Sequence, residues 1–356
     1  MTVHAQVPVT RSDHRVDVSG TLPDGVNAEL AVTVFADRDA GRPRAGAGVP
    51  RIVAVAVPGG GYTRGYYDLR HAALPGPGQA DYHRARGWVV VTYDPLGTGS
   101  STPLDDPIVT LDASARAADL AARDVLGRLR AGTLRHDLRP IPVAAAIGIG
   151  HSLGGMQLIH QQAVFRTFDA IAVLGFSAAH TVIPTPGEGV LAPASTQSSV
   201  AEAWSGPLSD DIAHLRYAYH WDDVPGDLVA RDMSAGFPVR TAGPLPPWVS
   251  ATFPPFAAAC MAPGVVAGQA ASVGVPLFVG AGERDVLADP RAEAAAYAAS
   301  PDITLFQVRR CAHLHNFSPQ RRDLWQRLHL WGESVPLLAG RAPSAPDKGE
   351  PSCPSP

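Results

Sequence analysis

Three short stretches carry residue types that could do chemistry together. Ser152 lies where an apolar, β-prone run, Ala144 to Ile149, meets a helix-compatible segment, Met156 to Gln162, with Gly150 two residues before it and Gly154 two after. Small residues at those positions allow the tight strand-to-helix bend that lifts a serine hydroxyl clear of a sheet and makes it a nucleophile. Pro58-Gly59-Gly60-Gly61 follows another apolar run, and consecutive glycines leave backbone N–H groups unobstructed, as an oxyanion hole requires. The pair His313-Leu314-His315 offers a base for a serine proton. A His-x-His pair can also hold a metal ion, but no carboxylate or thiol cluster adjoins this one at ligand spacing. Taken together the three stretches point to attack of a serine on a carbonyl carbon.

Elements must exist to bring such distant residues together, and the patterning supplies them. Arg15 to Leu22 and Ala28 to Phe35 read as two antiparallel entry strands around the turn Pro23-Asp24-Gly25. Arg51 to Val57, Trp88 to Tyr93, Pro142 to Ile149 and Ala170 to Phe176 are further apolar strands, separated by helical stretches at Ala80 to Arg86, Leu111 to Arg130 and from Ser152 to about Phe165. Alternation of this kind predicts a mostly parallel sheet covered on both faces. It stops between about Ser177 and Ser272, where prolines and aromatics (Trp204, Tyr217, Tyr219, Trp221, Trp248, Phe253, Phe256) accompany short amphipathic runs, Asp210 to His220 and Gly226 to Met233. It resumes with Val275 to Gly280 and Ile303 to Val308, followed by a closing helix over Asp323 to Trp331. Tyr66 and Tyr67, in the loop from Gly65 to Gln79, are expected near a pocket rim.

Composition narrows the function classes. The chain has 356 residues, 46% hydrophobic and 17% charged, enough for one large domain with an insertion. A net charge of −4 provides no basic stripe for nucleic acid or anionic lipid. Three widely spaced cysteines, Cys260, Cys311 and Cys353, indicate neither a disulfide framework nor a metal clip. No signal peptide or membrane span is apparent, so a cytoplasmic protein is expected. Gly97-x-Gly99 and Gly148-x-Gly150 lack the third glycine of a dinucleotide fingerprint, having Thr102 and Leu153 in its place. The expectation is therefore no cofactor and no metal.

The Gly-His-Ser-Leu-Gly-Gly stretch, the glycine loop and the strand–helix alternation resemble the α/β-hydrolase superfamily over roughly Val53 to Trp331, in its serine-nucleophile branch. The resemblance implies a core from 1–176 and 273–340, a mainly helical cap inserted at 177–272, and a disordered tail at 341–356. It implies that the acid follows the strand ending in Gly282-Glu283-Arg284-Asp285, with Asp285 preferred over Glu283 and Asp289, and that the base lies in the loop after the last strand, with His313 preferred over His315. The order Ser152, Asp285, His313 is the hydrolase order. Asp94-x-x-Gly97-x-Gly99-x-Ser101 resembles a structural turn of the same family. The oxyanion donors would be the N–H of Leu153 and of Gly60 or Gly61, with Gly60 preferred. A serine at 152 sets aside the aspartate-nucleophile epoxide hydrolases and haloalkane dehalogenases. The implied activity is hydrolysis of a carboxylic ester or lactone of a moderately bulky apolar small molecule. Carbon–carbon cleavage of a diketone, amide hydrolysis and a noncatalytic ligand-binding role on the same fold are the alternatives. The expected partner is the small-molecule substrate, with a homodimer possible and neither nucleic acid nor membrane involved.

Overall fold

A computed structural model describes residues 10–37, 40, 51–187, 189–191, 212–237, 240 and 243–339. Among the described residues ten strands run in chain order: β1 (Arg11–Asp17), β2 (Glu29–Phe35), β3 (Arg51–Val57), β4 (Val89–Tyr93), β5 (Val143–His151), β6 (Ala170–Leu174), β7 (Ile183–Thr185), β8 (Gly189–Leu191), β9 (Leu277–Arg284) and β10 (Ile303–Ala312). The α-helices among the described residues are α1 (Gln79–Arg84), α2 (Leu111–Ala131), α3 (Leu153–Phe165), α4 (Ile212–Tyr219), α5 (Gly226–Asp232), α6 (Ala267–Ala271) and α7 (Arg321–Ala339). Eight strands form one sheet in the order β1-β2-β4-β3-β5-β6-β9-β10, and β7 pairs with β8 in a separate hairpin. From β4 to β10 every neighbouring pair is parallel, whereas β2 is antiparallel to both β1 and β4.

The period of two along a strand sorts the core into two layers. Val53, Val55 and Val57 of β3 and Val89 and Val91 of β4 join the layer under α2 and α3, with Ala118, Ala122, Val125, Leu129, Met156 and Ile159. Ile52, Ala54, Ala56 and Val90 face the other way, onto α1 and α7, with Tyr82, Trp325, Leu328 and Trp331. The helix stripe from Leu111 to Leu129 packs as its spacing predicts, and Thr110 caps α2 by accepting the Ala113 N–H.

Several boundaries shift for identifiable reasons. β1 begins at Arg11, four residues before the expected strand, because an edge strand facing solvent on one side tolerates the polar Arg11, Ser12, Asp13 and His14. β5 carries on to His151, and β9 and β10 extend to Arg284 and Ala312, past the ends of their apolar runs. α7 continues beyond Trp331 because Gly332 is an interior helix position against which Trp88 packs: a Cβ there would lie 2.4 Å from the indole. Tyr66 and Tyr67 do not form a rim. They are buried in the core, in a short 3₁₀ turn over Arg64–Asp68. Asp94 has the expected structural role, accepting the backbone N–H groups of Arg64 and Ser100 and pairing with the Arg64 guanidinium. The tail at 341–356, Trp204 and most of the linker 37–49 lie outside the described residues. Among the described residues no helix is long and apolar enough to cross a membrane.

Candidate active site

Every functional side chain expected above stands at the carboxyl end of a parallel strand. Ser152 ends β5 and opens α3 at φ 53°, ψ −124°, a conformation that costs a residue with a Cβ on the order of 1–3 kcal/mol. The surrounding packing enforces it. A Cβ on Gly150 would approach the Gly154 carbonyl to 2.4 Å, and one on Gly154 would approach the Val57 and Pro58 carbonyls to 2.6 and 2.5 Å. The Ser152 N–H is tied to the Leu174 carbonyl at 2.8 Å. The small residues flanking the serine are thus required by close backbone approach.

His313 and Asp285 complete a line from the serine. His313 Nε2 lies 2.9 Å from Ser152 Oγ, and His313 Nδ1 lies 2.8 Å from Asp285 Oδ1. With the carboxylate able only to accept, Nδ1 donates and Nε2 is left to take the serine proton. His315 does not reach the serine; its Nε2 donates to the other carboxylate oxygen, Asp285 Oδ2, at 2.6 Å. Asp285 also accepts the Gly282 N–H on Oδ2 and the Val286 N–H on Oδ1, so four donors share one carboxylate. Burial would raise its pKa, but the charge and hydrogen bonds of His315 and His313 outweigh this and hold it well below the usual carboxylate range. The competing acids are elsewhere: Glu283 accepts the Arg310 N–H and Asp289 the Arg291 N–H, both at exposed positions. Among the described residues no group of three or more His, Cys, Asp or Glu could hold a metal ion.

The histidine loop is held from three sides. His151 donates its Nε2 proton to the His313 carbonyl at 2.8 Å and stacks on Tyr66 at 4.8 Å. Burial and the neighbouring His313 and His315 keep the His151 pKa well below its ordinary value, so the ring is neutral. Asn316 bonds to both the hydroxyl and the carbonyl of Tyr66, and its side-chain oxygen accepts the Trp325 indole N–H. The end of α4 contributes the carbonyls of Ala218 and Tyr219, which accept the N–H groups of His313 and Leu314. The roles of His151, Tyr66 and α4 have no signature in the sequence beyond the aromatic character of their neighbourhood.

Ser152 and His313 open onto a narrow pocket with about 610 Å³ of atom-free space, its mouth included. Gly59, Gly60 and Leu153 line it at the serine end, while Gly61 turns away with its carbonyl accepting the Ser250 N–H. Most of the remaining wall comes from residues between β6 and β9, including Ile183, Tyr219, Phe237, Phe253 and Met261. Two of the aromatics noted in that segment, Tyr219 and Phe253, therefore face the site, whereas Trp248 is buried in a polar cluster behind it.

Comparison with known proteins agrees with this architecture. An esterase from Thermogutta terrifontis superposes with a TM-score of 0.58 at 15% identity, covering 90% of this chain and 99% of its own. Proline iminopeptidase from Mycobacterium smegmatis gives 0.54 at 16% identity, over 92% and 100%. The enol-lactonase from Burkholderia xenovorans gives 0.52 at 16% identity, over 86% and 97%. At these identities the likeness is one of fold. No curated protein matches the sequence. The family model described as the alpha/beta hydrolase family matches residues 54–322, more than half the chain, from within β3 to the start of α7. With the sheet order, the serine turn and that match in agreement, the chain belongs to the α/β-hydrolase family.

Proposed function

We propose that the protein is a serine hydrolase that cleaves a carboxylic ester or lactone of a moderately bulky small molecule. The observation that carries this reading is the unbroken line Ser152 Oγ, His313, Asp285, with its serine end in a mostly apolar pocket. His313 takes the serine proton as Oγ attacks the carbonyl carbon, and Asp285 stabilises the imidazolium that forms. The N–H groups of Leu153 and Gly60 receive the oxyanion. Collapse expels the alcohol, which takes its proton from His313. Water activated by the same histidine then releases the acid. In a lactone both products are one molecule.

Hydrolysis of aryl esters with graded acyl chains tests the reading. Turnover should be saturable and should be abolished by a serine-directed phosphonate that labels Ser152; a folded protein that turns over no ester and takes up no label would refute it. The same assay separates the histidines. His313→Ala is expected to lower kcat by on the order of 10³-fold or more. His315→Ala should cost about tenfold, since it removes one of four donors to Asp285 and leaves the base in place. Equal losses in the two variants would mean that His315 has a direct part in proton transfer.

The glycine loop gives a second check. A Cβ on Gly60 would meet the Phe253 ring at 2.7 Å and Leu153 Cδ2 at 3.2 Å. Gly60→Ala should therefore displace the oxyanion donor and lower kcat by roughly ten- to a hundredfold. Pairing it with Phe253→Ala, which vacates the space, should restore part of the loss. Additive losses in the double variant would place the cause elsewhere.

A further inference from the structure

The polar groups in the pocket wall, apart from Ser152 and His313, are nearly all engaged by the protein or closed off. The Tyr62 hydroxyl donates to Asp232 Oδ2 at 2.9 Å, and Arg240 donates to the Gly61 and Asp232 carbonyls at 3.3 and 3.0 Å. His151 Nε2 donates to the His313 carbonyl. His151 Nδ1 and Thr181 Oγ1 meet no hydrogen-bond partner among the described residues, but both atoms are sealed from the cavity. The Cys260 thiol is a weak donor.

Tyr219 differs from all of these. It ends α4 and lines the pocket half-buried, and its hydroxyl keeps exposed surface while meeting no hydrogen-bond partner among the described residues. Burial pushes the phenol pKa up, so it stands in the wall as a neutral donor. The ring is fixed. It meets His313 edge to face at 5.0 Å and Phe237 at 5.2 Å between centroids, and the residue's carbonyl accepts the Leu314 N–H at 3.0 Å. A hydroxyl held this way has little freedom to seek an acceptor in the protein, and in an apolar wall it carries a desolvation cost that an acceptor on a ligand would remove.

Its neighbour tells which part of a ligand it meets. A departing alcohol must lie within reach of His313 to take its proton, whereas the carbonyl oxygen lies with the N–H groups of Leu153 and Gly60. The alcohol half therefore runs beside the ring that Tyr219 packs against. We propose that the Tyr219 hydroxyl donates a hydrogen bond to a second, uncharged oxygen in the alcohol half of the substrate, so that the pocket prefers an alcohol bearing an ether, carbonyl or hydroxyl oxygen to a plain alkyl one. This rests on the serine-hydrolase reading and adds the substrate class. An uncharged acceptor suits a neutral donor, and the arginine of the wall, Arg240, is already held by other acceptors.

The test compares two esters of the same shape, 2-methoxyethyl hexanoate and butyl hexanoate, each rate divided by that of hydroxide-catalysed hydrolysis. Wild type should favour the methoxyethyl ester by about fivefold or more in kcat/KM. Tyr219→Phe removes the oxygen and keeps the ring, and should bring the ratio to about one, chiefly through KM. A role of the hydroxyl in packing or in supporting the histidine loop would lower both esters together and leave the ratio alone. An unchanged ratio in Tyr219→Phe, or no preference in wild type, would overturn the proposal. Butyl 4-methoxybutanoate carries the oxygen in the acyl half instead, and a larger Tyr219-dependent preference for that ester would overturn the assignment to the alcohol. Calorimetry of the two hexanoates on the Ser152→Ala protein provides a measurement independent of turnover. Tighter binding of the methoxyethyl ester that is lost in Ser152→Ala/Tyr219→Phe supports the site even where wild type cleaves neither ester. Equal binding of the two, or none, counts against it even where both are cleaved.

Discussion

Replacing Ser152 by alanine is expected to lower kcat by on the order of 10⁴-fold or more while leaving the fold intact. On the serine-hydrolase reading the loss is large because the hydroxyl forms the acyl-enzyme, and what remains is binding and oxyanion stabilisation. The fold should survive because the residue's surroundings respond to its backbone. The N–H still bonds to Leu174, the carbonyl still accepts from Gly155 and Met156, and alanine occupies the same Cβ position between Gly59 and His313. Circular dichroism and a melting curve beside the rate measurement settle the point. A variant that keeps turnover would remove the serine from the mechanism, and one that melts far below wild type would mean that the hydroxyl is structural.

Asp285→Asn should be damaging in two ways at once. The amide keeps one acceptor oxygen, but its NH₂ must face N–H donors where the carboxylate accepted four of them: Gly282, Val286, His313 and His315. Orphaning buried donors costs about 1–3 kcal/mol each, so stability should fall by at least about 2 kcal/mol. Activity should fall by on the order of 10³-fold or more, because His313 loses the partner that sets its tautomer. The pH dependence has a definite sign. A carboxyl whose folded pKa lies below the unfolded value stabilises the protein fully above the ordinary 3.8 and loses that contribution as the pH falls through the folded value. In urea titrations the gap between wild type and Asp285→Asn should therefore be constant near neutrality and close only at acid pH. A gap that widened on acidification would contradict the assignment. The neutral, buried His151 and His83 add to acid lability from a higher pH, since their depressed values mean that the unfolded chain binds protons first as the pH drops below 6.5.

What could be read from the chain tracks how local the cause is. The serine turn was legible because its requirement, small residues at fixed offsets between a strand and a helix, is written within a dozen positions. The strands under it were legible because burial on both faces leaves uninterrupted apolar runs such as Ile52 to Val57. Asp285 could be placed only by resemblance, and its preference over Glu283 becomes physical only when β9 is seen to run past Gly280 and turn Glu283 outward to Arg310. His313 is preferred over His315 in the sequence only by resemblance, and the structure brings both to the same carboxylate, one on each oxygen. Tyr66 was misplaced at a rim since a loop rich in tyrosine and proline resembles a surface loop, whereas its ring is a buried platform for His151. Arg240 and Asp232 have no motif at all; 170 residues separate Asp232 from Tyr62, and only packing joins them.

The segment that roofs the pocket leaves the sheet after β6 and returns at β9, and these two strands are direct parallel neighbours, with Leu174 opposite Gly280. Its two ends are thus pinned one strand spacing apart, about 4.8 Å, by hydrogen bonds that do not depend on what lies between. Closing a loop costs only logarithmically in its length, about 0.6 kcal/mol for each doubling. Lengthening or shortening the roof away from the end of α4, whose Ala218 and Tyr219 carbonyls hold the histidine loop, is therefore cheap in chain-closure terms and leaves the register of β6 against β9 untouched. The molecule separates the part that can drift from the part that cannot, so a lineage of such chains can change what it accepts much faster than it changes what it does to it.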